Sequence, residues 1–320
     1  MEEKQQNIRY VMVSPVSVQS SGSNDEIDLA ELWKAIWSAK WLIIAITSIF
    51  VFAAVFYALY LPNIYKSEAL LAPVETEQQG GLAGLAGQFG GIASLAGLNL
   101  TGGAGDKTDL ALEILKSREF FSMFNQKHNI LPDLMAAKSW DMTINLVIYD
   151  EDLYLIQRDE WVRDVDPPKQ IKPSIQESIK IFKDKLNIAV NKDTGIVTVS
   201  VEHYSPYVAK QWIEWLIEDI NLHMKNRDKH EAEQNIAYLQ TQIEKTTVSE
   251  LKNLLYQLIE EQTKTLMFAE VREEYIFKII DKAFVPEEKA SPKRAIIVVL
   301  GFILGAILSV SFVLVRNFKN

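Results

Sequence analysis

The chain has 320 residues, carries a net charge of −9 and contains no cysteine. The missing cysteines exclude disulfides and thiolate metal sites. The acidic balance, with no basic stripe along which a phosphate backbone would run, speaks against nucleic acid as a partner.

Two apolar runs of equal length, Trp41 to Leu61 and Ala295 to Val315, flank about 230 mostly polar residues, enough for one or two domains with a real core. The second run has no charged residue in 21 positions. As a helix it is roughly 31 Å long, which matches the hydrocarbon core of a bilayer. The first run is too long for the apolar part of a cleavable signal and follows 40 residues of other sequence, so it is expected to remain as an anchor. Two spans put both termini on one side. Lys34, Lys40, Arg316 and Lys319 flank the spans on the terminal side, against Lys66, Lys282, Lys289, Lys293 and Arg294 on the loop side. The positive-inside count therefore does not favour an external loop, although long loops translocate regardless of charge.

Residues 1–24 lack helical period and read as a mobile tail. Asp28 and Glu31 form a capping-box pattern ahead of Leu29, Leu32, Trp33, Ile36 and Trp37, which predicts an amphipathic helix running into the first span. Trp33, Trp37 and Trp41 recur every four residues, as in an interfacial aromatic belt. After Pro62, residues 64–74 alternate as a strand. Residues 80–105 hold ten of the fourteen glycines, with Leu, Ala, Phe and Ile between them. Helix is too costly at that density, so an apolar loop that packs on a neighbour or on the membrane surface is expected. Its end, GGAGDKT, resembles a phosphate loop, but Asp106 and Thr101 stand where that loop needs glycine.

Asp109 to His128 is predicted as one amphipathic helix, and residues 129–172 as irregular with a short strand near 143–148. A short helix after Pro173 leads to two β-rich runs joined by Asn-Lys-Asp-Thr-Gly, a hairpin. Ser205 as N-cap and Pro206 as first helical residue open a helix expected to reach about Lys245, roughly 60 Å. Its middle, KNRDKHEAEQN, is polar on all faces and is expected to cross solvent or line an assembly. A second helix, about Ser249 to Tyr275, returns antiparallel, and a strand, YIFKIIDKAFV, leads to the second span. Without the insertion the order approaches β-α-β-β-α-β, a ferredoxin-like arrangement. The expected fold class is a membrane protein of mixed α and β structure: two transmembrane helices flank a ferredoxin-like α/β base with a long helical hairpin.

No catalytic, cofactor or metal set stands out. His223 and His230 are seven apart, where metal ligation on a helix favours four, and Asp219 is spaced to pair with His223 along its own helix. Asp150, Glu151 and Asp152, and Asp164 with Asp166, read as solvated loops. In the second span Gly301, Gly305 and Ser309 form a small-xxx-small stripe, and Ala54 and Ala58 offer the same in the first, so the spans are expected to pack together. Pro286 and Pro292 stiffen the approach to the second span.

The terminal spans, the α/β loop with its long helix, and the proline-bearing approach to a glycine-bearing span resemble the Wzz-type chain-length determinants, the polysaccharide co-polymerases of the bacterial inner membrane. The proline-rich signature is matched by Pro286, Ser291, Pro292 and Lys293, and the glycine-rich part by Gly301, Gly305 and Ala306. Ala283 stands where the signature often has proline, and Phe302 and Ile307 where glycine is frequent. The kinase module of the larger capsule and exopolysaccharide relatives is not expected here. The resemblance implies a ring-like homo-oligomer, often an octamer, in membrane lipid. It acts with a Wzy-type polymerase on lipid-linked polysaccharide and sets the modal length of O-antigen or a related polymer without a catalytic site or cofactor. It also implies the topology: a cytoplasmic tail and amphipathic helix over 1–40, spans over 41–61 and 295–315, a periplasmic base over 62–204, a helical arm over 205–275, a return strand and proline-bearing segment over 276–294, and a cytoplasmic tail over 316–320. An enzyme, kinase or glycan hydrolase, would need a nucleotide loop or a carboxylate pair. A structural adaptor in capsule or exopolysaccharide export is the other alternative.

Overall fold

The computed structural model describes residue 33 and residues 37–74 and 104–319. The N-terminal tail, the Asp28 capping box and nearly all of the glycine-rich stretch lie outside the described residues. The chain divides into two compact units, one of residues 1–55 with 296–320 and the other of residues 56–295.

The first unit is a pair of helices, α1 (Lys40–Tyr60) and α8 (Arg294–Lys319), each extending a short way into the second unit. Both are long and apolar enough to cross a membrane, with mean hydropathies of 2.6 and 2.8 over their spans. Their large side chains, among them Phe52, Phe56, Ile303 and Leu304, are exposed. An apolar surface of that extent is unstable in water and stable in lipid. Trp33 and Trp37 stack at 6.1 Å ahead of α1, and both are exposed, as is Trp41.

The second unit is built on a four-stranded sheet of β1 (Tyr65–Pro73), β6 (Leu186–Val190), β7 (Val197–His203) and β8 (Phe277–Asp281), in the order β6-β7-β1-β8. Every pairing is antiparallel. Counted by these four strands the order is 2-3-1-4, which is the ferredoxin-like sheet. Alternation sets which face is covered. Ala69 and Leu71 of β1 and Val197, Val199 and Val201 of β7 are buried, while Leu70 points to the exposed face. The β6–β7 turn is closed by Gly195, whose φ of +69° suits glycine and whose N–H donates to the Asn191 carbonyl at 2.8 Å.

Between β1 and β6 the chain departs from expectation twice. The predicted single helix over Asp109–His128 is two helices, α2 (Ala104–Leu115) and α3 (Arg118–His128). Ser117 breaks it by taking an extended backbone and accepting the N–H of Phe120 at 3.1 Å, an N-cap inside an apolar period. Residues 129–172 are also more ordered than expected. They hold α4 (Leu131–Met135), a ladder of β2 (Ala137–Asp141) with β3 (Leu146–Tyr149), and a short pair, β4 (Tyr154–Leu155) with β5 (Glu160–Trp161). Helix α5 (Ile175–Lys185), capped by Ser174, then leads to β6.

Helix α6 (Pro206–Lys245) has the expected Ser205 cap and Pro206 start. Its polar middle does not cross solvent unpartnered. The buried line Trp212, Leu216, Ile220, Met224 continues at the same spacing through Asp228 and Ala232. Asp228 accepts from Lys107 at 2.7 Å and from the Tyr275 hydroxyl at 2.8 Å, so a carboxylate occupies a core position with both partners supplied by other elements. Helix α7 (Ser249–Val271) returns antiparallel, joined to α6 by Lys229–Glu270 and Asn235–Gln262. It ends four residues short of Tyr275.

Candidate functional site: the proline segment and the helix seam

Residues 282–294 fold back along the start of β1. The hydroxyl of Ser67 donates to the Phe284 carbonyl at 2.6 Å. Pro286 is buried, and the Ser291–Pro292 peptide is cis. Ile64 and Ser291 form an antiparallel bridge, with Ile64 N–H donating to Ser291 O at 2.9 Å and Ser291 N–H returning at 3.2 Å. Lys293 is exposed.

Arg294, which the sequence reading used only as a flanking charge, fastens this junction. Its Nε donates to the Ala58 carbonyl at 3.0 Å and its Nη2 to Asn63 Oδ1 at 3.0 Å. Ala58 lies in the last turn of α1, where carbonyls lack partners within the helix, and a guanidinium both satisfies one and suits the negative helix end. Within the second unit Arg294 thus ties residues 58 and 63 to residue 294.

In the first unit the small residues of α8 face α1. A Cβ added at Gly301 would lie 2.5 Å from the Ala54 Cβ, and one at Gly305 would lie 2.8 Å from the Phe50 Cβ and 3.2 Å from the Thr47 Cα. Any side chain at either position forces the helices apart. One turn further, Ser309 donates to the Ala306 carbonyl at 2.9 Å, which uses its only proton. Thr47 must therefore be the donor in the 3.3 Å Thr47–Ser309 contact. Both hydroxyls are buried and satisfied. Ala306 itself is half-buried and takes part through its carbonyl.

Other residues singled out from sequence scatter. His223 packs edge-on to Phe120, and His230 meets Gln234 at 3.0 Å. The expected Asp219–His223 pair is not formed: Asp219 is buried and binds Lys127 and, at 2.9 Å, His128, with His128 stacked on Trp215. The packing of α3 on α6 brings those partners closer than the helical neighbour. The hydrogen bond from Lys127 to Asp219 raises the ammonium pKa. Asp150 caps the N–H of Asp152 and pairs with Lys138 at 3.4 Å, as a solvated loop does. Sequence reading missed Arg163. It is buried, binds both oxygens of Glu177 at 2.6 and 2.7 Å, and donates to the carbonyls of Gln170 and Ile171. That pairing holds the Glu177 carboxyl below its ordinary range.

Two apolar helices near the chain ends, a sheet of ferredoxin-like order and a long helical hairpin are the frame in which these residues lie. The family described as "Chain length determinant protein" (Wzz) matches residues 25–128, and the one described as "G-rich domain on putative tyrosine kinase" matches residues 246–318. The chain thus carries a Wzz-type chain length determinant domain and, towards its other end, a G-rich domain of the kind found on putative tyrosine kinases. Among solved structures it is similar to a full-length bacterial polysaccharide co-polymerase, at 17% identity and a TM-score of 0.38, over 91% of this chain and 98% of that one. It is also similar to a fragment of WzzB, the polysaccharide co-polymerase of Salmonella Typhimurium, at 11% identity and a TM-score of 0.29, over 72% of this chain and all of that one. No curated protein matches in sequence.

Proposed function

We propose that this chain is a non-enzymatic regulator of polysaccharide length. In this reading α1 and α8 cross the bacterial inner membrane, the termini are cytoplasmic and residues 62–294 are periplasmic. Copies assemble into a ring, with eight subunits as the working number. The ring acts beside a Wzy-type polymerase and holds its lipid-linked product, O-antigen or a related polymer, to a modal length. The observation that carries the reading is the chain length determinant match over residues 25–128. The close helix contact at Gly301 and Gly305, and the tie of Arg294 to Ala58 and Asn63, support it by giving the chain a paired anchor joined to its base. Pro286, Ser291, Pro292 and Lys293 set the path of that joint, and Gly301, Gly305 and Ala306 close the anchor.

The test is the lipopolysaccharide ladder of a deletion strain. Deletion is expected to leave polymer synthesis running and to replace the modal band with an unregulated distribution, and reintroducing the gene restores the mode. Loss of all polymer on deletion would refute the reading.

A further inference from the structure

The β2–β3 hairpin carries apolar side chains that nothing among the described residues covers. Met142 is 70% exposed, Ile144 62%, Leu146 58% and Ile148 46%. The polar groups of its turn are consumed internally. Asp141 Oδ1 accepts the N–H of Thr143 at 2.7 Å and of Ile144 at 3.3 Å, and Trp140 Nε1 donates to Asn145 Oδ1 at 2.9 Å. The turn is therefore closed on its own polar side and presents mainly hydrocarbon outward, a surface that water disfavours.

Its position says what covers it. The Trp140 ring meets Tyr65 edge-to-face at 5.5 Å and Tyr207 at 6.1 Å. Tyr65 is the first residue of β1, five beyond Tyr60, where α1 ends, so at most about 17 Å of chain separates them. Its neighbour Ile64 is bridged to Ser291, three residues before α8 begins. Within this unit the Trp140 end of the hairpin is thus close to the residues, 56–65 and 291–295, through which the chain runs into and out of the two apolar helices. We propose that the tip, Met142 to Ile148, inserts into the interfacial layer of the bilayer, with Trp140, Tyr65 and Tyr207 at the level where aromatic rings favour the boundary of lipid and water. The proposal rests on the reading that α1 and α8 cross a membrane. The charges around the tip are Asp141, Asp150, Glu151 and Asp152, and the nearby Lys138 is paired with Asp150. The hairpin itself therefore adds no attraction to anionic headgroups, and in a zwitterionic bilayer its insertion is apolar and insensitive to salt.

The cysteine-free chain allows single thiol labels on the full-length protein in phosphatidylcholine nanodiscs. An environment-sensitive fluorophore is placed at Ile144→Cys, at Phe56→Cys within α1, and at Asp193→Cys in the β6–β7 turn at the other end of the sheet. At Ile144 the label is expected to be quenched by lipid-borne nitroxide, as at Phe56, and to be about threefold less accessible to iodide than at Asp193, at low and high salt alike. Iodide access equal to Asp193 would overturn the proposal. So would protection from both quenchers with self-quenching between copies, which would mean that a second subunit covers the hairpin. An aqueous reading at Phe56 would instead sink the membrane reading and the proposal with it, a pattern distinct from failure at Ile144 alone.

Discussion

Asn221 does more for this fold than its place in a polar-looking helix announces. Its buried Oδ1 accepts the N–H groups of Tyr275, Ile276 and Phe277 at 3.0, 2.8 and 3.0 Å, and its Nδ2 donates to the carbonyls of Ile217 and Phe277. One side chain of α6 thereby fixes the chain as it leaves α7 and enters β8. Asn221→Ala strands several backbone groups and is expected to cost about 2–4 kcal/mol, seen as a lower unfolding midpoint and faster proteolysis near residue 275. An unchanged midpoint would show that water replaces the amide. His203 makes a second test. Ser205 N–H donates to its Nδ1 at 3.0 Å, so Nε2 holds the proton and donates to the Asp133 carbonyl at 3.0 Å. Burial first, and then the nearby Lys185 charge, push its pKa down to about 4 from 6.5. A depressed histidine binds fewer protons folded than unfolded. Its contribution is thus complete above pH 6.5 and is lost as pH falls towards 4, by up to about 3 kcal/mol. Burial raises the Asp133 pKa, and its protonation offsets part of that loss. Comparing the pH dependence of unfolding with that of His203→Gln isolates the histidine: the variant should lose less stability between pH 6.5 and 4, and parallel curves would contradict the assignment.

At the scale of elements, the α1–α8 seam depends on absent atoms. Gly301→Ala drives a methyl against Ala54 and is expected to cost about 1–3 kcal/mol of helix pairing, while adding Ala54→Gly restores the space. Thr47→Cys with Ser309→Cys should form a disulfide under mild oxidation, since the hydroxyls they replace lie 3.3 Å apart. The cross-link should weaken in Gly301→Ala and recover in the double variant; equal cross-linking in all three would mean that the seam does not govern the pair. The small stripe on α8 was legible because glycine every fourth residue has few other uses in an apolar helix. Its partners Thr47 and Phe50 were not, since α1 offers apolar residues all round and sequence cannot say which side turns inward. Ser117 was missed for the opposite reason: Phe120, Phe121 and Phe124 continue the apolar period straight across the break, and capping is decided by one local backbone rotation. Arg163 and Glu177 are 14 residues apart with no periodic signal, so only the folded insertion pairs them.

At the scale of the whole molecule, the ferredoxin-like order was readable because strand alternation, the Ser205–Pro206 start and the Asn-Lys-Asp-Thr-Gly turn are local signals that agree with one another. The buried character of α6 around Asp228 was not, because its partners Lys107 and Tyr275 lie more than 45 residues away on either side. Topology follows from the proposed function: thiol labels at Asp193→Cys should react with a membrane-impermeant reagent once the outer membrane is permeabilised, and a label that reacts only after inner-membrane lysis would reverse the orientation. The claim on which the account rests is that a membrane-anchored chain of 36.4 kDa works as an assembly of copies. The direct measurement is the mass of the particle extracted from the membrane in nanodiscs and weighed one at a time. The account predicts a single species of several chains, close to eight, after the lipid and belt are subtracted. A particle holding one chain at every concentration would contradict it.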